Sequence, residues 1–171
     1  MTDGLMLPPG AGRSISGAGM TLKVGAGQSN AWSAFEALVT PGFDVGAHLH
    51  RQAEEFFFIL DGELDLLAFE PRSRAIGDWR TWESADGARV LRGGPGSAMF
   101  VPAGCPHAFA NPGAATARML FLVSPPGHEH YLDEIGELIG RGGPPDPAAI
   151  AEVRARHDIQ QLTPMAVGPP R

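Results

Sequence analysis

Between Thr21 and Pro125 the apolar residues fall in short runs closed by Gly, Pro, Asn or Asp. The runs AWSAFEALV (31–39), EFFFILDGELDLLAF (55–69), ARVLR (88–92), SAMFVP (97–102), HAFA (107–110) and ARMLFLVS (117–124) all read as strands. No long helical period interrupts them. Many short strands with turn residues between them predict an all-β domain, a sandwich or a barrel.

The pattern changes on either side. Residues 1–20 are rich in Gly, Pro and Ser and read as a flexible N-terminal arm. The barrel is expected over 21–126. Inside it, residues 70–87 (EPRSRAIGDWRTWESADG) are polar and turn-rich. They read as a long excursion between two strands, with room for a small hairpin and with Trp79 and Trp82 as anchors. Its length suits a functional loop, and a structural or dimer-contact role equally well. Residues 127–171 form a helical extension and tail. Tyr131, Leu132, Ile135, Leu138 and Ile139 have helical spacing, and Arg141–Pro145 (RGGPP) breaks it. Asp146 as N-cap with Pro147 in the first helical position starts a second helix, whose buried face carries Ile150 and Val153. Two short helices packed outside the barrel are therefore expected.

Strand alternation assigns faces within HLHRQAEEFFFIL (48–60). His48 and His50, two apart, point the same way. Glu55, Phe57 and Ile59 share one face, and Glu54, Phe56 and Phe58 the other. If Phe57 and Ile59 line the interior, Glu55 points inward with them. An inward carboxylate is costly unless paired or coordinated. The two imidazoles and a divalent cation would satisfy it. His107, after the turn PAGCP (102–106), stands where another strand enters the barrel. Three imidazoles and one carboxylate suit Fe, Mn, Ni, Co, Cu or Zn. A lone HxH pair, by contrast, is often just solvated surface. Continued alternation would place Leu64 and Leu66 outside with Phe56 and Phe58. So much apolar surface needs cover, and a homodimer is expected.

Composition narrows the setting. The 171 residues suffice for one domain with a real core, and 23 Gly with 16 Pro fit a turn-rich fold. A net charge of −6, with Lys23 the sole lysine and no basic run, gives no attraction for nucleic acid or an anionic membrane. The single cysteine, Cys105, cannot form an intrachain disulfide. The N-terminal stretch has no signal-peptide pattern, and no run reaches membrane-spanning length. A cytoplasmic protein with a small-molecule substrate is the expectation.

Spacing carries a resemblance. Gly42, five residues, His48, one, His50, four, Glu55, six, Gly62 resembles the first cupin motif. Gly96, five residues, Pro102, one, Gly104, two, His107, three, Asn111 resembles the second, so that all ten fixed positions match in order. The resemblance covers about residues 21–125. It implies a double-stranded β-helix, the jelly-roll cupin barrel, with His48, His50, Glu55 and His107 as ligands of one divalent transition metal. The segment of 33 residues between Gly62 and Gly96 is longer than the family pattern and bears on the cavity mouth.

Within cupins the chain is similar to small bacterial proteins of the quercetin 2,3-dioxygenase type, on TPGFDVGAHLH, EEFFFILDGEL, VPAGCPHAFAN and, more loosely, SPPGHEHYLDEIGE. That likeness implies an oxygenase for a small aromatic or enolic compound, with Glu55 also the catalytic base. Phe57, Ile59, Phe109 and Phe121 are the candidate cavity residues, with ordinary core the alternative for each. The candidate cavity strands carry no Lys and no clustered Arg, which weighs against phosphosugar isomerases. Arg51, Arg89, Arg92 and Arg118 are the nearest cations and read as surface groups. Cys105 reads as a small buried residue rather than a ligand. His128 and His130 form a second HxH with no partners spaced to complete a metal site, and a role at the cavity mouth with Tyr131 stays open. Two other functions stay open: an isomerase, cyclase or lyase that needs no O₂, and a non-enzymatic small-molecule-binding cupin.

Overall fold

The apolar runs become strands of two antiparallel sheets. The computed structural model describes residues 3–15, 19–74, 77–140 and 146–166. In chain order the strands are β1 (Arg13–Ile15), β2 (Met20–Val24), β3 (Ser33–Val39), β4 (His48–His50), β5 (Glu54–Asp61), β6 (Leu64–Ala68), β7 (Leu91–Gly93), β8 (Ala98–Val101), β9 (His107–Ala110) and β10 (Ala117–Ser124). Helices α1 (His128–Gly140) and α2 (Pro147–Arg156) follow, then a last strand, β11 (Ile159–Gln161). One sheet has the order β1-β2-β3-β10-β5-β8 and the other β11-β4-β9-β6-β7. This is the all-β jelly roll with two short C-terminal helices.

The core lies between the sheets. Strand β10 sits between β3 and β5, with Phe121 opposite Phe35 on one side and Phe57 on the other. Their rings stack at centroid distances of 5.4 and 4.7 Å. Cross-strand aromatic pairs of this kind fix register as well as burying area. Alternation along β5 is as expected: Glu55, Phe57 and Ile59 are buried, while Glu54 and Phe56 are exposed.

Three expectations are corrected. Leu64 and Leu66 do not share the outer face of Phe56 and Phe58; both are buried in the main core. The chain leaves one sheet and enters the other at Gly62, whose φ is +76°. A residue there in the left-handed region breaks the extended alternation, so the inward phase shifts by one position. A side chain at Gly62 would also press on Ala117, whose Cα would lie 2.8 Å from the added Cβ. Second, the N-terminal arm is not wholly loose: β1 pairs with β2, and β2 already begins at Met20. Third, the C-terminal tail returns to the barrel, where β11 pairs with β4 and sets Ile159 opposite His50 and Gln161 opposite His48. Both added strands are only three residues long, too short for a periodic signal.

The 70–87 excursion covers the outer face of the five-stranded sheet. Asp78 caps a 3₁₀ turn, Trp79–Thr81, by accepting from the Arg80 N–H. Trp79 and Trp82 are buried against Ala47, Leu67, Ala108 and Ala110. The Trp79 indole N–H donates to Asp44 at 2.9 Å. Arg80 reaches Asp44, Asp65 and Asp78, which ties the loop to the sheet. Isolated bridges Pro71–Ser84 and Glu83–Arg89 form the loop's own small hairpin. On the outer face of the six-stranded sheet no such cover is found among the described residues: Phe56, Leu60 and Phe100 stay exposed.

Helix α2 starts at the predicted cap, with the Asp146 carboxylate accepting from the Ala148 N–H at 2.9 Å. Val153 is buried and Ile150 half-buried. The predicted break at Arg141–Pro145 lies outside the described residues. No helix among the described residues is long and apolar enough to cross a membrane.

Candidate metal centre

The four residues singled out by spacing meet at one point, although they come from three strands in two sheets. His48 and His50 are on β4, His107 on β9 and Glu55 on β5. His48 and His107 are register partners across β4 and β9. Glu55 comes from the opposite sheet, so the site joins both layers. All four are buried, and one ligand atom from each lies within 4.8 Å of the others.

Hydrogen bonds around the rings decide which nitrogens point inward. His48 Nδ1 lies 2.9 Å from the Gly46 carbonyl, and His107 Nδ1 lies 3.1 Å from the Cys105 carbonyl. A carbonyl can only accept, so Nδ1 carries the proton in both rings. Each Nε2 is then left with a lone pair facing the centre, the tautomer a metal-binding histidine needs. Burial, with His107 adding to it, holds His48 well below the ordinary histidine value, so its ring is neutral at pH 7. Burial alone would raise the Glu55 carboxyl. The His107 and His50 rings outweigh it when a proton on Nε2 faces the carboxylate, and then hold Glu55 well below the usual carboxylate range.

The centre is short of partners. His50 Nε2 lies 3.1 Å and His107 Nε2 2.8 Å from the two Glu55 oxygens. Even so, His50 Nε2, His107 Nε2 and Glu55 Oε2 are buried without a well-directed hydrogen bond. Orphaned buried polar atoms are rare and need an explanation. A divalent cation among three imidazole nitrogens and a carboxylate would satisfy all of them, so the donor set fits a transition metal.

The cupin family model matches residues 21–135, about the span of the barrel and the first half of α1. The chain belongs to the cupin family. No curated protein matches it. Among solved structures, a Klebsiella pneumoniae protein with a double-stranded β-helix domain shares 14 % identity, with TM-score 0.47, over 63 % of this cupin and 76 % of that chain. The DMSP lyase DddQ from Ruegeria pomeroyi shares 26 % identity, with TM-score 0.44, over 62 % of this chain and 45 % of its own. Bacillus subtilis oxalate decarboxylase, described with Mn(II) centres, shares 17 % identity, with TM-score 0.48, over 63 % of this chain and 26 % of its own. The family assignment rests on the match to residues 21–135, not on these partial overlaps.

The His48 and Glu55 side of this ligand cluster opens onto a cavity of about 220 Å³. Phe57, Phe109 and Phe121 are on its wall. Ile59, expected there, is packed in the core behind them and does not reach the wall. The second-motif residue Asn111 closes its hairpin, donating to the Val39 and Ala115 carbonyls and accepting from the Gly113 N–H. Cys105 is only partly buried and is not among the converging atoms. Burial, with the charge of Glu70 adding to it, pushes its thiol up and disfavours the thiolate.

The second HxH divides. His130 is exposed, whereas His128 and Tyr131 both line the cavity. His128 keeps some solvent contact, but its ring is enclosed by Phe35, His50, Phe121 and Tyr131. That enclosure lowers its pKa to about 4. The candidate surface cations stay outside: Arg92 pairs with Asp65, Arg89 with Glu83 and Arg118 with Glu36, and Arg51 is exposed. The cavity's cation is instead Arg154 of α2, which the strand-centred reading of the sequence passed over. Gln161 of β11 lines the same cavity and was likewise missed. Neither has a fixed distance from any motif, so spacing gave no signal for them.

Proposed function

We propose that this cupin is a metal-dependent oxygenase for a small aromatic or enolic compound, quercetinase-like in its chemistry. One observation supports it most. A converging four-residue donor set, with three of its atoms left unsatisfied, borders through His48 and Glu55 on a cavity whose wall includes Phe43, Phe57, Phe109 and Phe121. Aromatic walls of this kind hold a flat apolar substrate against the centre. A bound transition metal would act there as a Lewis acid toward substrate oxygens and supply the electron transfer that O₂ chemistry needs. Glu55 is ionised and lines the cavity, so it can accept the proton of a substrate hydroxyl or enol. The Nδ1 bonds of His48 and His107 to backbone carbonyls hold their rings still while that proton moves.

A lyase or isomerase that uses no O₂ is the second reading. His128 favours it: neutral and on the cavity wall, it gives proton transfer a second group beside Glu55. An oxygen electrode separates the readings. The oxygenase reading expects metal-dependent O₂ uptake matching the loss of an added flavonol or other enol. Turnover that persists without O₂ would favour the second reading. Absence of any turnover over a broad panel would leave a binding cupin.

We also propose that the chain is a homodimer joined through the bare face of the six-stranded sheet. There Phe100 is 57 % exposed, at the edge strand β8, directly opposite Phe56 on β5.

A further inference from the structure

Arg154 lines the cavity without a counter-charge. Arginines elsewhere on the chain, such as Arg13, Arg80, Arg92 and Arg118, have carboxylate partners at the surface. Among the described residues no carboxylate comes within ion-pair distance of Arg154. Its Nη2 reaches the Met165 sulfur, at 3.6 Å, a weak acceptor, and its other polar neighbour is the neutral Tyr131 phenol. Its Nε is buried with no partner. A guanidinium facing a mostly apolar cavity in this state is costly, and an anion entering the cavity would relieve the cost.

The rest of the cavity points the same way. Glu55 is the carboxylate on its wall, and it is committed to the metal cluster. With a divalent cation held by one carboxylate and three neutral imidazoles, the centre is itself net positive. Arg154 then adds a second positive group at the helical end. Between them stands Tyr131, whose phenol is raised mainly by burial and, against that, lowered by a hydrogen bond with Arg154. Glu55, Tyr131 and Arg154 line one and the same cavity, so a single small molecule bound in it faces both ends. Gln161 adds an amide to the same wall.

We propose that Arg154 is an anion-binding residue and that the ligand of this cavity is a small aromatic or enolic carboxylic acid, its carboxylate on Arg154 and its other end against the His48–Glu55 side. A carboxylate suits one guanidinium with a phenol and an amide beside it. A phosphate dianion would be left half-neutralised, since among the described residues the cavity wall carries no second arginine or lysine. The assignment rests on the reading of this cavity as a substrate site, and its test reads binding rather than turnover.

The test uses two matched pairs of probes, benzoate with benzamide and phenylacetate with phenylacetamide. Each pair has the same shape and differs in charge. Calorimetric titration is run on metal-free and zinc-loaded wild type and on Arg154→Gln. Wild type is expected to bind the acids at least about tenfold tighter than the amides, with or without zinc, the scale of a hydrogen bond to a charged group. Arg154→Gln is expected to cut that preference to about threefold or less, on the same scale, while zinc content stays as in wild type. Arg154→Lys should keep part of it, because the charge remains but the planar fork is lost.

Equal binding of acids and amides by wild type overturns the proposal, and that comparison needs no variant to fold. A preference seen only with zinc and surviving in Arg154→Gln also overturns it, because the carboxylate then sits on the metal. If acids bind through Arg154 but no O₂ is consumed on any of them, the oxygenase reading fails while the assignment of Arg154 stands.

Discussion

At one end of the cavity His48, His50, Glu55 and His107 stand on strands. At the other, His128, Tyr131 and Arg154 stand on two helices laid against the barrel. The strand end is held by backbone pairing: β4 lies between β9 and β11, and β5 lies between β10 and β8. The helical end is held by side chains. Glu129 accepts from the Ala26 N–H, the Ser33 hydroxyl and the Gly127 N–H, which anchors the start of α1. Asp133 pairs with Arg13 of β1, and Glu134 joins α1 to Arg156 and His157 at the end of α2. Sheet register fixes positions to fractions of an ångström, which a metal requires. Helices tied by a few polar contacts can differ between relatives without disturbing the barrel. On the proposed function, the strand end would set the chemistry and the helical end what is admitted to it.

This division is sharpened first by its largest expected effect. His107→Ala or His50→Ala should leave a folded barrel that retains far less metal, measured by elemental analysis after dialysis. The melting temperature of the metal-loaded protein should fall with it, because a cation bound only by the native state stabilises that state. Near-stoichiometric metal in either variant would break the comparison, since the strand end would not then hold the cation. Next is Glu55→Gln. With both proteins fully loaded with the same metal, turnover per metal should drop about 10²–10⁴-fold, the usual scale for a positioned general base. Equal turnover per metal would leave Glu55 as a ligand and move the proton transfer to the helical end, where His128 is the nearest neutral group.

Glu129 tests the helical end alone. Burial would raise its carboxyl, but the bonds from Ala26, Ser33 and Gly127 outweigh it and keep it below the ordinary value of 4.5. A carboxylate lowered in the folded state contributes stability above its unfolded pKa, and loses it as pH falls through the folded value. Glu129→Gln should flatten that acid limb of the stability profile below about pH 4.5, and Glu129→Ala should cost about 1–3 kcal/mol at pH 7 through unpaired donors. Metal content should be unchanged in both. A large loss of metal would mean that the two ends are not separable. The smallest effect concerns the bare sheet. Light scattering at micromolar concentration should give a dimer, and Phe100→Asp should shift it toward monomer with metal binding intact. A wild-type monomer would show that this face carries no partner.

The same contrast explains what could be read from the sequence. His48, His50, Glu55 and His107 were legible because a strand alternates strictly and turns have fixed lengths, so distance along the chain becomes distance in space. Alternation failed at Leu64 and Leu66, where the chain changes sheets at Gly62 and the phase resets. Strands β1 and β11 were too short to carry a period, and their pairing depends on the rest of the barrel being in place. The helices themselves were visible in their period and in the Asp146–Pro147 cap. So was the buried face of α2, with Val153 inside, but no local rule says which polar residue of a docked helix meets a cavity. Arg154 was passed over for that reason, and so was Glu129, whose three donors come from separate loops and strands.

X-ray absorption on protein loaded with one equivalent of zinc tests the central claim most directly. The account predicts only nitrogen and oxygen neighbours at about 2.0–2.2 Å, with the outer scattering of three imidazole rings, and loss of one ring in His107→Ala. A sulfur neighbour at about 2.3 Å, which would bring in Cys105, or an imidazole signal unchanged in His107→Ala, would contradict it.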